Sequence, residues 1–183
     1  MNRALSVLVL IAMIIHTYYK WKEGTLPELL WGCNVASFVI LLGLWFENAL
    51  LVGTGFIWHV SVGEPGALYG VLRTGHTTWS SIIVHFLPPI TAFVSLRRSG
   101  LPRLSPYLAF ALFVLLVPIS HYLTPPSFNI NMAHQRIWVL QQQFKGNWDY
   151  RLVFSAIMLS IMLLADLGFG LWLGRGSESR PPA

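Results

Sequence analysis

The sequence predicts an all-α protein, a polytopic transmembrane bundle of about six helices of which one is short or kinked. The composition is the first reason, because 55% of the 183 residues are hydrophobic and only 10% are charged, whereas a soluble domain has about 25% charged residues. Apolar runs of about 17 to 25 residues also recur along the chain, the length that a helix needs to cross a bilayer. Polar and apolar residues do not alternate, which argues against membrane strands.

Turn residues and charges divide the apolar runs into six predicted helices. These helices cover residues 5–19, 27–46, 49–62 with a continuation over 67–72, 77–96, 105–122 and 152–173. The third helix should break at Gly63–Gly66, and Pro88 and Pro89 should bend the fourth. A long loop is predicted over residues 123–150. We therefore expect one transmembrane domain over residues 1–174 and a disordered cytoplasmic tail over residues 175–183.

Basic residues in the predicted loops indicate the orientation. The 12 Lys and Arg residues divide equally between the two sides, but the loop with Arg97, Arg98 and Arg103 is short and densely basic. This loop predicts that both termini are cytoplasmic and that the protein lies in the inner (cytoplasmic) membrane. Although the net charge is +5, the basic residues do not form one face, so nucleic-acid binding is not expected.

Polar residues of the predicted spans concentrate in one half of the bundle. Helices two and four start on the same side, since one antiparallel helix lies between them. Cys33 and His85 then lie roughly 9 and 12 Å below the same face, at about 1.5 Å per helical residue. All six histidines belong to this half, together with Glu28 and Glu64. Because ionisable groups within a span usually face the bundle interior or a wet cavity, we expect a polar cavity that opens toward the non-cytoplasmic face.

The matched depth of Cys33 and His85 predicts a nucleophile–base dyad. The imidazole favours formation of the thiolate, which attacks an acyl carbonyl and forms a thioester. Asn34 is expected to orient the histidine or stabilise the oxyanion. The expected substrate is a membrane lipid whose ester lies near the headgroup level, and the chemistry needs neither a cofactor nor a metal ion. The substrate site is expected to include Glu28, His59 and His121.

Two other functions stay open at this point. In the first, His59, His85 and His121 supply imidazole ligands to zinc, copper or iron, although no two histidines are four residues apart on one helix. In the second, the chain is a non-catalytic accessory subunit that packs against other membrane subunits. The aromatic content of 14% and the small residues Gly170 and Gly174 suit such packing.

Four short motifs lie between residues 26 and 135. They are LPELLWxCNxA at 26–36, LWxENxLL at 44–51, HxxPP at 85–89 and NxN at 129–131. Together they resemble a family of uncharacterised bacterial multi-pass membrane proteins. More distantly, a Leu-Pro helix start ahead of a cysteine, with a histidine in a later helix, is similar to the YwaF-like integral membrane proteins. Their eukaryotic relatives include lipid acyltransferases and fatty-ester hydrolases that use Cys or Thr with His, so the resemblance implies Cys33 as nucleophile and His85 as base.

Overall fold

The computed structural model describes residues 2–75, 77–136, 143–144 and 147–176, and within these ranges the chain is helical. The α-helical segments are α1 (Asn2–Lys22), α2 (Gly32–Trp45), α3 (Ala49–Trp58), α4 (Glu64–Thr74), α5 (Trp79–Ser99), α6 (Ser105–Leu123) and α7 (Asn147–Leu173). A π-helical turn, His59–Gly63, joins α3 to α4, so the seven segments form six helices, and short 3₁₀ turns occur at Leu26–Leu30 and Ile130–Met132. The one β feature of the described residues is an isolated bridge between Leu101 and Arg175. The predicted all-α fold class is confirmed.

Four helical stretches in the described part of the chain are long and apolar enough to cross a membrane. They are Asn2–Lys22, Trp79–Ser99, Ser105–Leu123 and Trp148–Leu173, and α2 is apolar but shorter. Large apolar side chains cover the outside of the bundle, with Trp79 and Leu171 each 81% exposed. Exposed apolar surface of this extent suits contact with lipid, so the fold is compatible with a membrane protein.

The second helix begins later than predicted. Pro27 starts the 3₁₀ turn Leu26–Leu30, and α2 begins only at Gly32. Trp31 separates the two with a ψ of 139°, outside the helical region. A distant loop holds this break, because the Asn131 amide donates to the Leu30 carbonyl at 2.7 Å and accepts from the Gly32 N–H at 2.9 Å. Cys33 therefore lies in the first turn of α2, and not six residues into a helix.

The third predicted helix does not break at Gly63–Gly66. It continues from α3 into α4 through the π-helical turn, in which the Glu64 N–H bonds to the His59 carbonyl. Pro65, the next residue, has no N–H to give to the turn before it, and a wider turn accommodates that loss. The turn matters for function, because it brings the side chains of His59 and Glu64 together.

Glycine allows α2 and α3 to pack closely. A Cβ atom at Gly43 would lie 2.6 Å from the Val52 nitrogen, and one at Gly55 would lie 2.7 Å from the Ala36 carbonyl oxygen. Small residues of this kind allow neighbouring helix backbones to approach in membrane proteins. The buried core beside this contact includes Ile40, Leu44, Ile57 and Trp58. The α2–α3 pair is the frame that holds the site described below.

The chain ends of the described region lie at the same end of the bundle. Ser95, late in α5, donates to Asn2 at the start of α1, and the Leu101 N–H bonds to the Gly174 carbonyl just after α7. Arg175 pairs with both carboxylate oxygens of Asp166 at 2.8 Å. The packed structure thus extends into the first residues of the predicted disordered tail, while residues 177–183 lie outside the described part of the chain.

The remaining boundaries differ from the predictions by a few residues. Pro88 and Pro89 both lie inside α5, which runs without interruption from Trp79 to Ser99. The predicted loop over residues 123–150 is shorter, because α7 begins at Asn147, and it contains the 3₁₀ turn Ile130–Met132.

Candidate active site

Four ionisable side chains from four segments of the bundle form the candidate site. Cys33 comes from the first turn of α2, His59 from the π-helical turn, Glu64 from the start of α4 and His85 from α5. His59 Nδ1 lies 2.9 Å from Glu64 Oε1, and His85 Nδ1 lies 3.4 Å from the same oxygen. The two imidazole rings meet edge to face, with centroids 5.7 Å apart. One carboxylate oxygen is therefore shared by two histidines.

Cys33 lies within electrostatic range of His85, and His85 Nδ1 lies 3.4 Å from Glu64 Oε1. Cys33 is a half-buried free thiol, so it is not sealed in the core. A thiol, an imidazole and a carboxylate therefore occupy the same region of the bundle.

Gly63 makes room for the side chains at the centre. A Cβ atom on Gly63 would lie 3.2 Å from His59 Nδ1 and 3.3 Å from Cys33 Cβ. These distances are shorter than almost all Cβ contacts in proteins, so a larger residue would press on both groups. The glycine inside the π-helical turn thus permits the close approach of α2 to His59.

Ser37, one turn after Cys33 in α2, fixes the far edge of the His59 ring. Its hydroxyl donates to the Cys33 carbonyl at 2.9 Å and lies 3.0 Å from His59 Nε2. The hydroxyl therefore holds the Nε2 edge of the ring, and the Nδ1 edge faces Glu64.

The structure places three of the predicted site residues outside this cluster. Asn34 donates to the Glu28 carbonyl at 2.9 Å and so closes the 3₁₀ turn. The Glu28 carboxylate pairs with Lys20 at 2.6 Å, which occupies it at the end of α1. His121 Nδ1 donates to the Ala133 carbonyl oxygen at 3.1 Å, and no contact within the described residues joins it to His59 or His85. The predicted trio of His59, His85 and His121 is therefore not brought together.

Sequence reasoning did not assign a role to Glu64 or Ser37. Glu64 sat in the Gly63–Gly66 stretch that was expected to break a helix, and its depth depended on whether the helix continued. A carboxylate within otherwise apolar helical sequence was the available signal. The sequence contained no such signal for Ser37, because serine is common wherever membrane helices pack closely.

The other histidines have separate partners. His16 in α1 contacts the Ser80 hydroxyl of α5 at 3.1 Å, and His134 Nε2 lies 3.0 Å from the Thr124 carbonyl oxygen. The rings of His121 and His134 are 4.7 Å apart. His76 lies outside the described residues. The similar depth of the histidines predicted that all of them would lie in one group. In the structure the described histidines form at least two distinct clusters.

Two adjoining grooves run between α1, α2 and α5. The larger has a volume of about 520 Å³ and is lined by apolar side chains that include Leu10, Ile14 and Leu41. The smaller, of about 240 Å³, is lined by Asn34 and Val84, the residues next in the chain to Cys33 and His85. Both grooves share Met13, Thr17 and Phe38. Cys33 and His85 are not among the residues that line either groove.

Comparisons with protein-family models, curated proteins and solved structures give no match to this chain. The fold and the site define the class as an all-α helical bundle, compatible with a membrane protein, with a buried Cys–His–Glu–His cluster. Its function has to be inferred from that cluster.

Proposed function

We propose that the protein is a lipid acyltransferase or ester hydrolase of the inner (cytoplasmic) membrane, with Cys33 as nucleophile and His85 as general base. The observation that carries the proposal is that His85 Nδ1 lies 3.4 Å from Glu64 Oε1, while Cys33 lies within electrostatic range of His85 and packs against Gly63 beside His59. A nucleophile, a base and a group that orients the base are the parts of acyl-transfer triads. Glu64 takes the orienting role that was expected of Asn34. The resemblance to the YwaF-like proteins implies the same Cys33–His85 pair.

In the first half-reaction, the Cys33 thiol gives its proton to His85 and the thiolate attacks the carbonyl carbon of a lipid ester. A C–S bond forms as the carbonyl oxygen becomes an oxyanion. When the oxyanion collapses, the C–O bond to the leaving alcohol breaks and His85 gives the proton to that alcohol. The acyl chain stays on Cys33 as a thioester, and Glu64 stabilises the imidazolium that forms in between.

In the second half-reaction, His85 takes a proton from the acceptor as its oxygen attacks the thioester carbonyl. The C–S bond breaks, and the proton returns from His85 to the Cys33 sulfur. Water as acceptor makes the protein a hydrolase, whereas the hydroxyl of a second lipid makes it an acyltransferase. The partner in either case is a membrane lipid.

The start of α2 supports the formation of negative charge at Cys33. Cys33 lies in the first helical turn, where backbone N–H groups have no intrahelical acceptor and the helix dipole favours an anion. The Gly32 N–H is taken by Asn131, so the N–H of Cys33 itself is the nearer donor for the oxyanion. Serine and cysteine acyltransferases use the N–H of the nucleophile in the same way.

The two grooves support a lipid substrate. An acyl chain in the larger groove would contact apolar side chains such as Leu10 and Leu41, and its carbonyl end would point toward the smaller groove beside Asn34 and Val84. The ester would then lie near the α2 start, close to the Lys20–Glu28 pair. Charged pairs of this kind suit the headgroup level of a bilayer.

The proposal includes the orientation expected from the loop charges. The Arg97–Arg103 loop and both chain ends would lie in the cytoplasm, and Lys20 and Glu28 would lie on the non-cytoplasmic side. Substrate lipids would then enter from the outer leaflet.

The proposal is tested by trapping the thioester. Purified protein in mixed micelles is incubated with phosphatidylcholine that carries a radiolabelled acyl chain, and bound label is measured before and after neutral hydroxylamine, which cleaves thioesters. We expect label on the wild type that hydroxylamine releases, and none on Cys33→Ala. His85→Gln should slow labelling by about 100-fold or more, since general-base catalysis contributes about 10²–10⁴-fold.

His121→Gln is the matched control, because it makes the same substitution in a histidine outside the cluster and should label as the wild type does. Equal labelling of wild type and Cys33→Ala, or no labelling of either by phospholipid, would overturn the enzyme proposal. Co-purification with larger membrane subunits would then favour the accessory-subunit function.

A further inference from the structure

The contact between His59 and Glu64 places an imidazole nitrogen directly against a carboxylate oxygen. His59 Nδ1 lies 2.9 Å from Glu64 Oε1, and His85 Nδ1 lies 3.4 Å from the same oxygen. The other ring nitrogen of His59 lies 3.0 Å from the Ser37 hydroxyl, so Nδ1 is the nitrogen that faces the carboxylate.

Three buried atoms at this point lack a correctly aligned hydrogen-bond partner. They are His59 Nδ1, Glu64 Oε1 and His85 Nδ1. One ligand atom from each of the three residues lies within 4.8 Å of the other two. Buried polar atoms are rarely left without partners, so three of them converging on one point favour a bound ligand there.

We infer that His59, Glu64 and His85 form a binding site for a divalent transition-metal ion of the zinc type. Two imidazoles and one carboxylate are a ligand set that zinc uses in proteins, with one position left open. Ligand atoms at about 2.0–2.1 Å from a tetrahedral zinc ion lie about 3.3–3.4 Å apart. The observed distances of 2.9 and 3.4 Å match this spacing after a small adjustment of one side chain.

The surroundings support the three ligands. Ser37 holds the His59 ring by its other nitrogen, as partners of metal-bound histidines commonly do. His59 is fully buried, while the Glu64 side chain is 31% exposed, so an ion has a route in along the carboxylate.

Metal binding and thiol chemistry would compete for His85. An imidazole that coordinates an ion through Nδ1 keeps a proton on Nε2, so it can donate to a thiolate but cannot accept the thiol proton. This consequence rests on the proposed function: a zinc-loaded protein should form the acyl-thioester more slowly than the metal-free protein. The binding site itself stands without it.

Zinc binding is tested on the full chain purified in detergent. The protein is stripped with a chelator and titrated with Zn²⁺ alone, and bound metal is measured by elemental analysis and by competition with a chromogenic chelator. We expect one zinc ion per wild-type chain. His59→Gln and Glu64→Gln should each weaken binding by about 100-fold, because loss of even an outer partner costs about 10–100-fold.

His121→Gln and His16→Gln are matched controls and should bind zinc as the wild type does. X-ray absorption of the zinc-loaded wild type should show two imidazole ligands, and this measurement does not depend on whether the variants fold. Cys33→Ala cannot form a thioester yet should still bind zinc, which separates this inference from the proposed function. Binding that is absent, or that falls equally in the His121→Gln control, would overturn the inference.

Discussion

Gly63 is the residue that lets the thiol and the imidazole rings lie together. Gly63 is distant from Cys33 in the sequence, since Cys33 belongs to α2 and Gly63 to the π-helical turn. The fold brings the two residues together. The missing side chain of Gly63 leaves 3.2 Å between the ideal Cβ position and His59 Nδ1. The sequence showed a glycine beside a proline, which predicts a helix break, so the role of Gly63 in packing was not visible.

Gly63→Ala should reduce acyl-thioester formation with little effect on stability. The added methyl group must displace His59 or Cys33 by a few tenths of an ångström, and a displacement of about 1 Å can cost about 100-fold in rate. We expect a loss of about tenfold, measured as the initial rate of labelling by phospholipid. Gly66→Ala is the control, since its Cβ would meet nothing within 4 Å. Equal rates in the two variants would contradict the account of the site given above.

Asn131 is a second residue whose structural role could not be predicted from the local sequence. Its φ of 52° is left-handed, a conformation that asparagine adopts more readily than most residues. Its side chain bonds to Leu30, Gly32 and Ser120, and the first two are about 100 residues away in the chain. The NxN motif was recognisable, but its partners were not, because nothing local specifies contacts at that separation.

At the scale of the elements, the α2–α3 contact determines where Cys33 and His59 meet. Both residues lie at the same end of this helix pair. Cys33 is at the start of α2, and His59 comes immediately after α3. Gly43 and Gly55 set the distance between the helices. A change in that spacing would therefore move the two sides of the site relative to each other.

Gly55→Ala should destabilise the bundle. The new methyl group would lie 2.6 Å from Ile40 Cγ1 and 2.7 Å from the Ala36 carbonyl oxygen, and overpacking of this kind costs about 1–3 kcal/mol. The free energy of unfolding is measured by titration of the detergent-solubilised protein with a denaturing detergent. Gly168→Ala, in an exposed position with nothing within 4 Å, should instead be neutral or stabilising by about 0.4–1 kcal/mol. If the Gly55→Ala protein were as stable as the Gly168→Ala protein, α2 and α3 could move apart without a loss in the free energy of unfolding.

At the scale of the whole molecule, the six helices of the described residues bring Asn2 and Gly174 to one end of the bundle. The contacts of Asn2 with Ser95 and of Leu101 with Gly174 lie at that end. The Lys20–Glu28 pair lies at the other end. The cluster of Cys33 and the histidines is nearer to this second end, since it uses the start of α2 and the first third of α5.

The proposed orientation predicts which end is accessible from outside the cell. In a Cys33→Ala background, which has no other cysteine, Glu23→Cys should react with a membrane-impermeant maleimide in intact spheroplasts. Arg103→Cys should react only after the membrane is opened, because the basic loop stays in the cytoplasm. Both positions are exposed. The reverse pattern would place the site on the cytoplasmic side and the termini outside.

Composition and the lengths of the apolar runs determined the fold class and the number of helices. These properties follow from local sequence, because a run of apolar residues forms a helix of a certain length wherever it lies. The tertiary structure alone decided which polar residues meet. It set Glu64 between His59 and His85 through a π-helical turn, moved the start of α2 to Gly32 through Asn131, and directed Asn34, Glu28 and His121 to other partners. Side-chain contacts depend on how each helix is rotated about its axis and on residues distant in the chain. The depth of a residue in the membrane specifies neither of these.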